Sequence, residues 1–298
     1  MRVFVTGASG WIGAATIDEL LAAGHDVVGL ARSERSAAAL EAKGVHVQRG
    51  DLDDLDSMRA GAADADAVIH LANKHDFTDP AGSNRAERDA VNSIGEVLAG
   101  SDRPFLIASG IAMLTPGRPA TEEDRSAAHG VESARGGSEN LALEFAGRGV
   151  RSVSVRFAPT VHGAGDHGFI ATLVGVARER GVSGYVGDGS NRWAAVHRSD
   201  AATVVRLGLE KATAGSILHA VGEEGVSARE IAEAIGNGLG VPVRSITPED
   251  AAEHFGWVGM FFGMDIPASS TATQRLLDWR PTGATLAEDL AAGPYFSG

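Results

Sequence analysis

The chain has 298 residues, enough for one large unit or two moderate ones, and its 44% hydrophobic and 22% charged content lies near globular averages, which excludes wholesale disorder and fibrous architectures. Twenty-six Lys and Arg against 39 Asp and Glu leave a net charge of −13, which disfavours nucleic acid and anionic lipid as partners and obliges any anionic ligand to find local cations. There are no cysteines, so disulfides, thiolate metal sites and thiol nucleophiles are excluded together.

Val3 to Thr6 reads as a short strand, followed by Gly7-Ala8-Ser9-Gly10 and an apolar pattern of helical spacing from Trp11 through Leu21. No basic stretch and long apolar segment precede the first strand, so no export signal is expected, and the lack of Cys fits a cytoplasmic protein. Val27 to Leu30 is a second strand, Ser33 to Lys43 a helix closed by Gly44, and Val45 to Gln48 a third strand. The alternation continues with strands at Ala67 to Leu71, Pro104 to Ala108 and Ser152 to Arg156, and helices at Ala86 to Leu98 and Ser138 to Phe145. Six buried strands separated by helices predict an α/β fold with a doubly wound parallel sheet of Rossmann-like topology. Later elements are a helix at Asp200 to Leu209, a strand at Ile217 to Ala220 and a helix at Ala228 to Ile235. We expect residues 1–160 to form the dinucleotide-binding domain and 161–298 mainly a smaller C-terminal substrate lobe, with segments around 193–220 returning to the first domain. No apolar run approaches the ~18–20 residues needed to cross a bilayer.

Gly7, Gly10 and Gly13 stand three apart between a strand and a helix, where a tight turn lets a phosphate approach bare backbone N–H groups, and this position predicts dinucleotide binding. NAD-specific turns usually place a carboxylate after the second strand, yet here the stretch is Leu30-Ala31-Arg32-Ser33. With Arg32 and Arg35 present and no acid at Ala31, a ribose bearing a 2′-phosphate fits better, so NADP is the expected cofactor and NAD the alternative. The bland reading of both arginines is solvent-facing charge at a helix start. Asp51, beside Leu52, is expected either to accept from the adenine amino group or to cap a helix.

Thr6-Gly7-Ala8-Ser9-Gly10-Trp11-Ile12-Gly13, Asp51-Leu52, His70-Leu71-Ala72-Asn73 and Arg156-Phe157-Ala158-Pro159-Thr160-Val161-His162-Gly163 together resemble the extended short-chain dehydrogenase/reductase superfamily in order and spacing. The resemblance covers about residues 1–165, and Trp193 to Asp200 looks like a later segment of the same group. It implies cofactor contacts from Gly7, Ser9, Gly10, Trp11, Ile12, Gly13, Leu71, Ala72, Pro159, Thr160 and Val161. It also implies a Ser or Thr after strand five that holds the substrate oxygen, matched by Ser109, and a Tyr with a Lys four residues later that moves the proton. Here the chain departs from the pattern: Val131 stands where the Tyr is expected and Arg135 at the Lys position, in register with the helix that carries Glu139. The only tyrosines are Tyr185 and Tyr295.

Valine cannot donate a proton, and guanidinium does not relay one at neutral pH, so Arg135 offers ribose binding or fixed charge. Replacement acids are His75 beside Lys74, His129, Ser133 and Tyr185, each with a surface or packing alternative. His162 is expected to pack, and His167 lies in a glycine-bearing loop that could cover the cofactor or simply face solvent. His197 with Asp200 is poor metal-site spacing, and no metal is expected. His254 to Phe262 is the densest aromatic stretch, a pocket wall or a dimer contact. The reading is an NADP(H)-dependent oxidoreductase reducing a small or medium carbonyl-type substrate. The alternatives are a non-catalytic NADP-binding sensor and an epimerase or dehydratase.

Overall fold

The computed structural model describes residues 1–296 apart from 75, 77 and 113. Its strands are β1 (Arg2–Thr6), β2 (Asp26–Ala31), β3 (His46–Arg49), β4 (Ala67–His70), β5 (Pro104–Gly110), β6 (Arg151–Phe157), β7 (Thr160–His162), β8 (Ser183–Val186), β9 (Arg192–His197), β10 (Ser216–Ala220), β11 (Glu223–Ser227) and β12 (Val243–Ile246). The α-helices are α1 (Trp11–Ala22), α2 (Glu34–Glu41), α3 (Leu55–Ala63), α4 (Pro80–Leu98), α5 (Ser138–Glu144), α6 (Phe169–Arg180), α7 (Arg198–Lys211), α8 (Ala228–Leu239), α9 (Ala251–Phe255), α10 (Gly259–Phe262), α11 (Thr271–Leu277) and α12 (Leu286–Ala291).

Seven strands pair in the order β10-β6-β5-β4-β1-β2-β3, all parallel. The fold is the doubly wound α/β sheet that the alternation predicts. Side chains alternate across it: Val3, Val5 and Leu106 join one core cluster, while Phe4, Phe105 and Ile107 join the other. Both faces are therefore buried, as a parallel sheet requires. The chain leaves β1 toward β2 on one side and later reaches β4 on the other, so the switch point between β1 and β4 marks the ligand crevice at their carboxyl ends.

A second set of strands pairs in the order β11-β9-β7, and β8 pairs with β12. α1 packs against α7, which ties this part of the chain to the dinucleotide end of the sheet. The structure adds to and shifts the elements of the sequence reading, as three examples near the sheet show. α3 is absent from that reading; α4 begins six residues earlier, at Pro80, because Asp79 Oδ1 accepts the Gly82 N–H and proline suits the first helical turn; and α7 extends over Arg198–Lys211. No helix among the described residues is long and apolar enough to cross a membrane.

Candidate functional site

The turn after β1 is built by exclusion of side chains. Gly7 has φ +67°, and a Cβ there would lie 2.7 Å from the Ala72 nitrogen and 2.8 Å from the Leu71 carbonyl carbon. A Cβ on Gly13 would stand 2.0 Å from the Gly7 carbonyl oxygen, and the Gly10 N–H donates to that same oxygen at 2.9 Å. Strand, turn and helix are thus closed to within backbone contact. No side chain caps the N-terminus of α1 at Gly10, so the first-turn amides of Trp11, Ile12 and Gly13 lack intrahelical acceptors and face outward beside exposed Ser9. Such a cradle fits a diphosphate. Leu71 and Ala72 form its far wall, where the Ala72 N–H donates to Thr6 Oγ1 at 3.3 Å. On the β7 side, Val161 O accepts from Trp11 Nε1 at 2.8 Å, Pro159 is half-buried and Thr160 is buried.

At the tip of β2, Ala31 is buried, and Arg32 and Arg35 are exposed without an ion-pair or hydrogen-bond partner among the described residues. The one acid between them, Glu34, is held by Arg49 at 2.6 Å. Ser33 caps α2 through Ser36. Asp51 Oδ1 accepts the N–H groups of Asp53 and Asp54 at 2.9 and 3.1 Å, shaping the entry to α3, and Leu52 is buried in the core cluster under that helix.

Beyond β5 the polar groups form two clusters. Ser109 is buried, and its hydroxyl donates to Glu139 Oε2 at 3.1 Å; the other carboxylate oxygen receives Ser154 Oγ at 2.8 Å and Arg156 Nε at 2.7 Å. The structure therefore places the Ser109 hydroxyl in a buried network. In the second cluster Arg135 clasps Glu87 through Nη2 at 2.5 Å and Nε at 3.1 Å, and Asn73 Nδ2 reaches Glu87 Oε2 at 2.6 Å. Glu87 is 1% exposed. Arg135, Gly136 and Gly137 have φ of 52°, 62° and 62°, a left-handed run that no α-helix can contain, so α5 starts only at Ser138. Val131 and Arg135 accordingly precede the helix that the sequence reading aligned them with. The segment is strapped to one face of α4, where Asn84 Nδ2 donates to Ser133 O and Arg88 Nη1 to Gly136 O.

A profile of the NAD dependent epimerase/dehydratase family matches residues 3–221. The chain belongs to this family. Among its relatives, an uncharacterized protein of Schizosaccharomyces pombe is 48% identical over 99% of this chain and all of its own length, and one of Saccharomyces cerevisiae is 43% identical over 98% of each. In fold it is similar to the dTDP-glucose 4,6-dehydratase DesIV of Streptomyces venezuelae, solved with NAD bound, at a TM-score of 0.78 and 21% identity over 99% of this chain and 96% of that one.

Against the epimerase/dehydratase pattern, the replacement acids sort by position. Ser133 Oγ donates to Gly130 O at 2.7 Å, and exposed His129 places Nε2 3.3 Å from Asn140 Nδ2. Tyr185 lies on β8 with its ring under Arg229, 4.8 Å from the guanidinium carbon, and beside Gly189. Lys74 pairs with Asp53 at 2.7 Å, and His75 lies outside the described residues. His197 Nδ1 stands 2.7 Å from Ser199 Oγ, while Asp200 accepts the Thr282 and Gly283 N–H groups.

Other residues at the site escape sequence reasoning. Buried His162 sets Nδ1 2.6 Å from Asp289 Oδ2, so α12 is pinned to β7. Tyr295, far downstream in sequence, donates to Asp166 Oδ2 at 3.0 Å and accepts the Gly163 N–H at 3.2 Å; burial raises its pKa above the usual phenol value. Through these bonds the chain terminus holds the Gly163–Gly168 loop, whose His167 meets the Trp11 ring edge-on at 5.6 Å. Glu87 had one legible signal: a carboxylate on the Ala90, Val91, Ile94 face of α4 where an apolar residue is expected. Tyr295 and Asp289 had none.

Proposed function

We propose that this family member binds NADP(H) and reduces a small or medium-sized apolar carbonyl substrate. The observation that carries the reading is the glycine cradle whose ribose end offers Arg32 and Arg35, both without partners among the described residues, beyond an Ala31 that supplies no carboxylate. The cofactor, when bound, supplies a hydride to an electrophilic carbon. Gly7, Gly10 and Gly13 would receive its diphosphate, Arg32 the 2′-phosphate, and Leu71, Ala72 and Val161 would line the nicotinamide side.

Arg135 carries the fixed positive charge of the site. Clasped by Glu87, its guanidinium is one-third exposed and oriented, suited to ribose hydroxyls or to an oxygen gaining negative charge. It does not relay a proton. Ser109 and Ser133 have their hydroxyls engaged elsewhere, which leaves His75, His129, Tyr185 and solvent as proton sources. The pH–rate profiles of His75→Asn, His129→Asn and Tyr185→Phe variants separate them.

An apolar substrate is favoured by the aromatic group beside the loop that follows β7. Phe169 contacts Trp193, Trp257 and Phe261 at ring-centroid distances of 5.3, 5.5 and 5.7 Å. Arg192, the cation nearest this group in sequence, is paired with Asp265 at 3.1 Å, which disfavours the several convergent cations a nucleotide sugar would need. A non-catalytic NADP sensor is the second reading, favoured by Val131 and by the engaged Ser109 hydroxyl. Incubation with NADPH and a panel of aldehydes, ketones and enones decides between them. Substrate-dependent loss of nicotinamide absorbance supports the reductase, and tight binding without turnover supports the sensor.

A further inference from the structure

Arg198 is the first residue of α7, and its guanidinium carbon lies 4.2 Å from the centre of the Trp11 ring. Its Nε is buried with no hydrogen-bond partner, and its guanidinium has no ion pair among the described residues. The chain has 13 more acids than bases, yet the carboxylates on the segments next to Arg198 are engaged elsewhere. Asp166 accepts from Gly168 and Tyr295, Asp200 from Thr282 and Gly283, and Asp289 meets His162. The charge is therefore held beside Trp11 without a counter-ion among the described residues.

Trp11 directly follows Gly10, so its own N–H is one of the amides that open toward the diphosphate. The indole is fixed by its bond to Val161 O and by His167 against its edge, and Arg198 stacks on it. We propose that Arg198 is a diphosphate ligand of the bound dinucleotide, presented by Trp11 as a preset cation–π platform. The proposal rests on the reading that the glycine turn grips a pyridine dinucleotide. Arg32 distinguishes the two coenzymes at the 2′ position, whereas Arg198 contributes equally to both.

Titrations of NADPH, NADH and 2′-AMP into wild-type protein, Arg198→Met and Arg32→Ala, followed by calorimetry and by tryptophan fluorescence, test it. Methionine keeps an unbranched stem against the indole without charge, and circular dichroism checks the fold. Arg198→Met is expected to weaken NADPH and NADH alike by about tenfold or more, the scale of one charge-assisted contact, and to leave 2′-AMP, which carries no diphosphate, unchanged. Dinucleotide affinities within about twofold of wild type would show that Arg198 only stacks on Trp11 and would overturn the proposal. An equal loss of 2′-AMP binding would assign Arg198 a structural role and overturn it too. Wild-type protein that binds neither dinucleotide would defeat the cofactor reading itself, an outcome distinct from wild-type binding that Arg198→Met leaves intact.

Discussion

Arg135 reaches both oxygens of Glu87 from a backbone at φ 52°, so this cation is held by a carboxylate on α4, 48 residues away. A left-handed non-glycine residue is strained, and the geometry persists because Glu87, Asn84 and Arg88 bind the segment from one helix face. A flexible lysine can shuttle protons, whereas this guanidinium is an oriented charge with one side given to a buried acid.

Removal of one member of this pair should be worse than removal of both. Arg135→Met strands the Glu87 carboxylate, 1% exposed, with only Asn73 as a described partner, and should destabilise the protein by about 2–3 kcal/mol. The double variant with Glu87→Gln should recover at least about 1 kcal/mol, since an amide tolerates burial better than an unpaired charge. Urea unfolding of the two single variants and the double variant checks this; additive losses would mean the residues are uncoupled.

Ser109→Ala should lower stability by about 1 kcal/mol, the worth of its single bond to Glu139, and leave NADPH affinity within about twofold. If the hydroxyl instead turns toward substrate during turnover, the variant will lose kcat/KM by at least about a hundredfold with unchanged stability. Steady-state kinetics beside thermal unfolding tells the two apart.

The sheet strands, glycine turn and family membership were legible in the sequence because each depends on local pattern: short continuous apolar runs of a sheet buried on both faces, and glycines at a strand–helix junction. Long-range pairings were not. Tyr295 bonded to Asp166, Asp289 to His162, and Arg135 to Glu87 leave no trace in any short window, since folding alone brings residues 129, 127 and 48 positions apart together. The left-handed run at Arg135-Gly136-Gly137 was hidden for another reason. Counting back from α5 carried the alignment through two glycines that in fact precede the helix in a left-handed run.

Arg32→Ala should weaken NADPH by about tenfold or more and leave NADH within about twofold, because only the 2′-phosphate faces that side chain in the proposed complex. Arg35 stands one turn along and would retain part of the affinity, so the double variant should lose more. Equal losses for both coenzymes, read by calorimetry, would contradict the 2′-phosphate assignment.

Stability should fall as pH drops from about 6.5 toward 4, and His70 should account for much of it. Its ring is buried, with Nδ1 2.9 Å from Thr6 Oγ1 and Nε2 without a partner among the described residues; burial, aided by the Arg135 charge, lowers its pKa from 6.5 to about 3. Between those values the unfolded chain binds a proton that the folded protein refuses. The contribution is thus fully present above 6.5 and is lost progressively as pH falls toward 3, reaching roughly 2–3 kcal/mol at pH 4.5. Asn at position 70 can keep a polar atom near Thr6 without titrating. His70→Asn should therefore flatten the pH dependence of the urea midpoint between 6.5 and 4.5, even if it lowers stability at neutral pH, and an unchanged slope would assign the acid sensitivity to other groups.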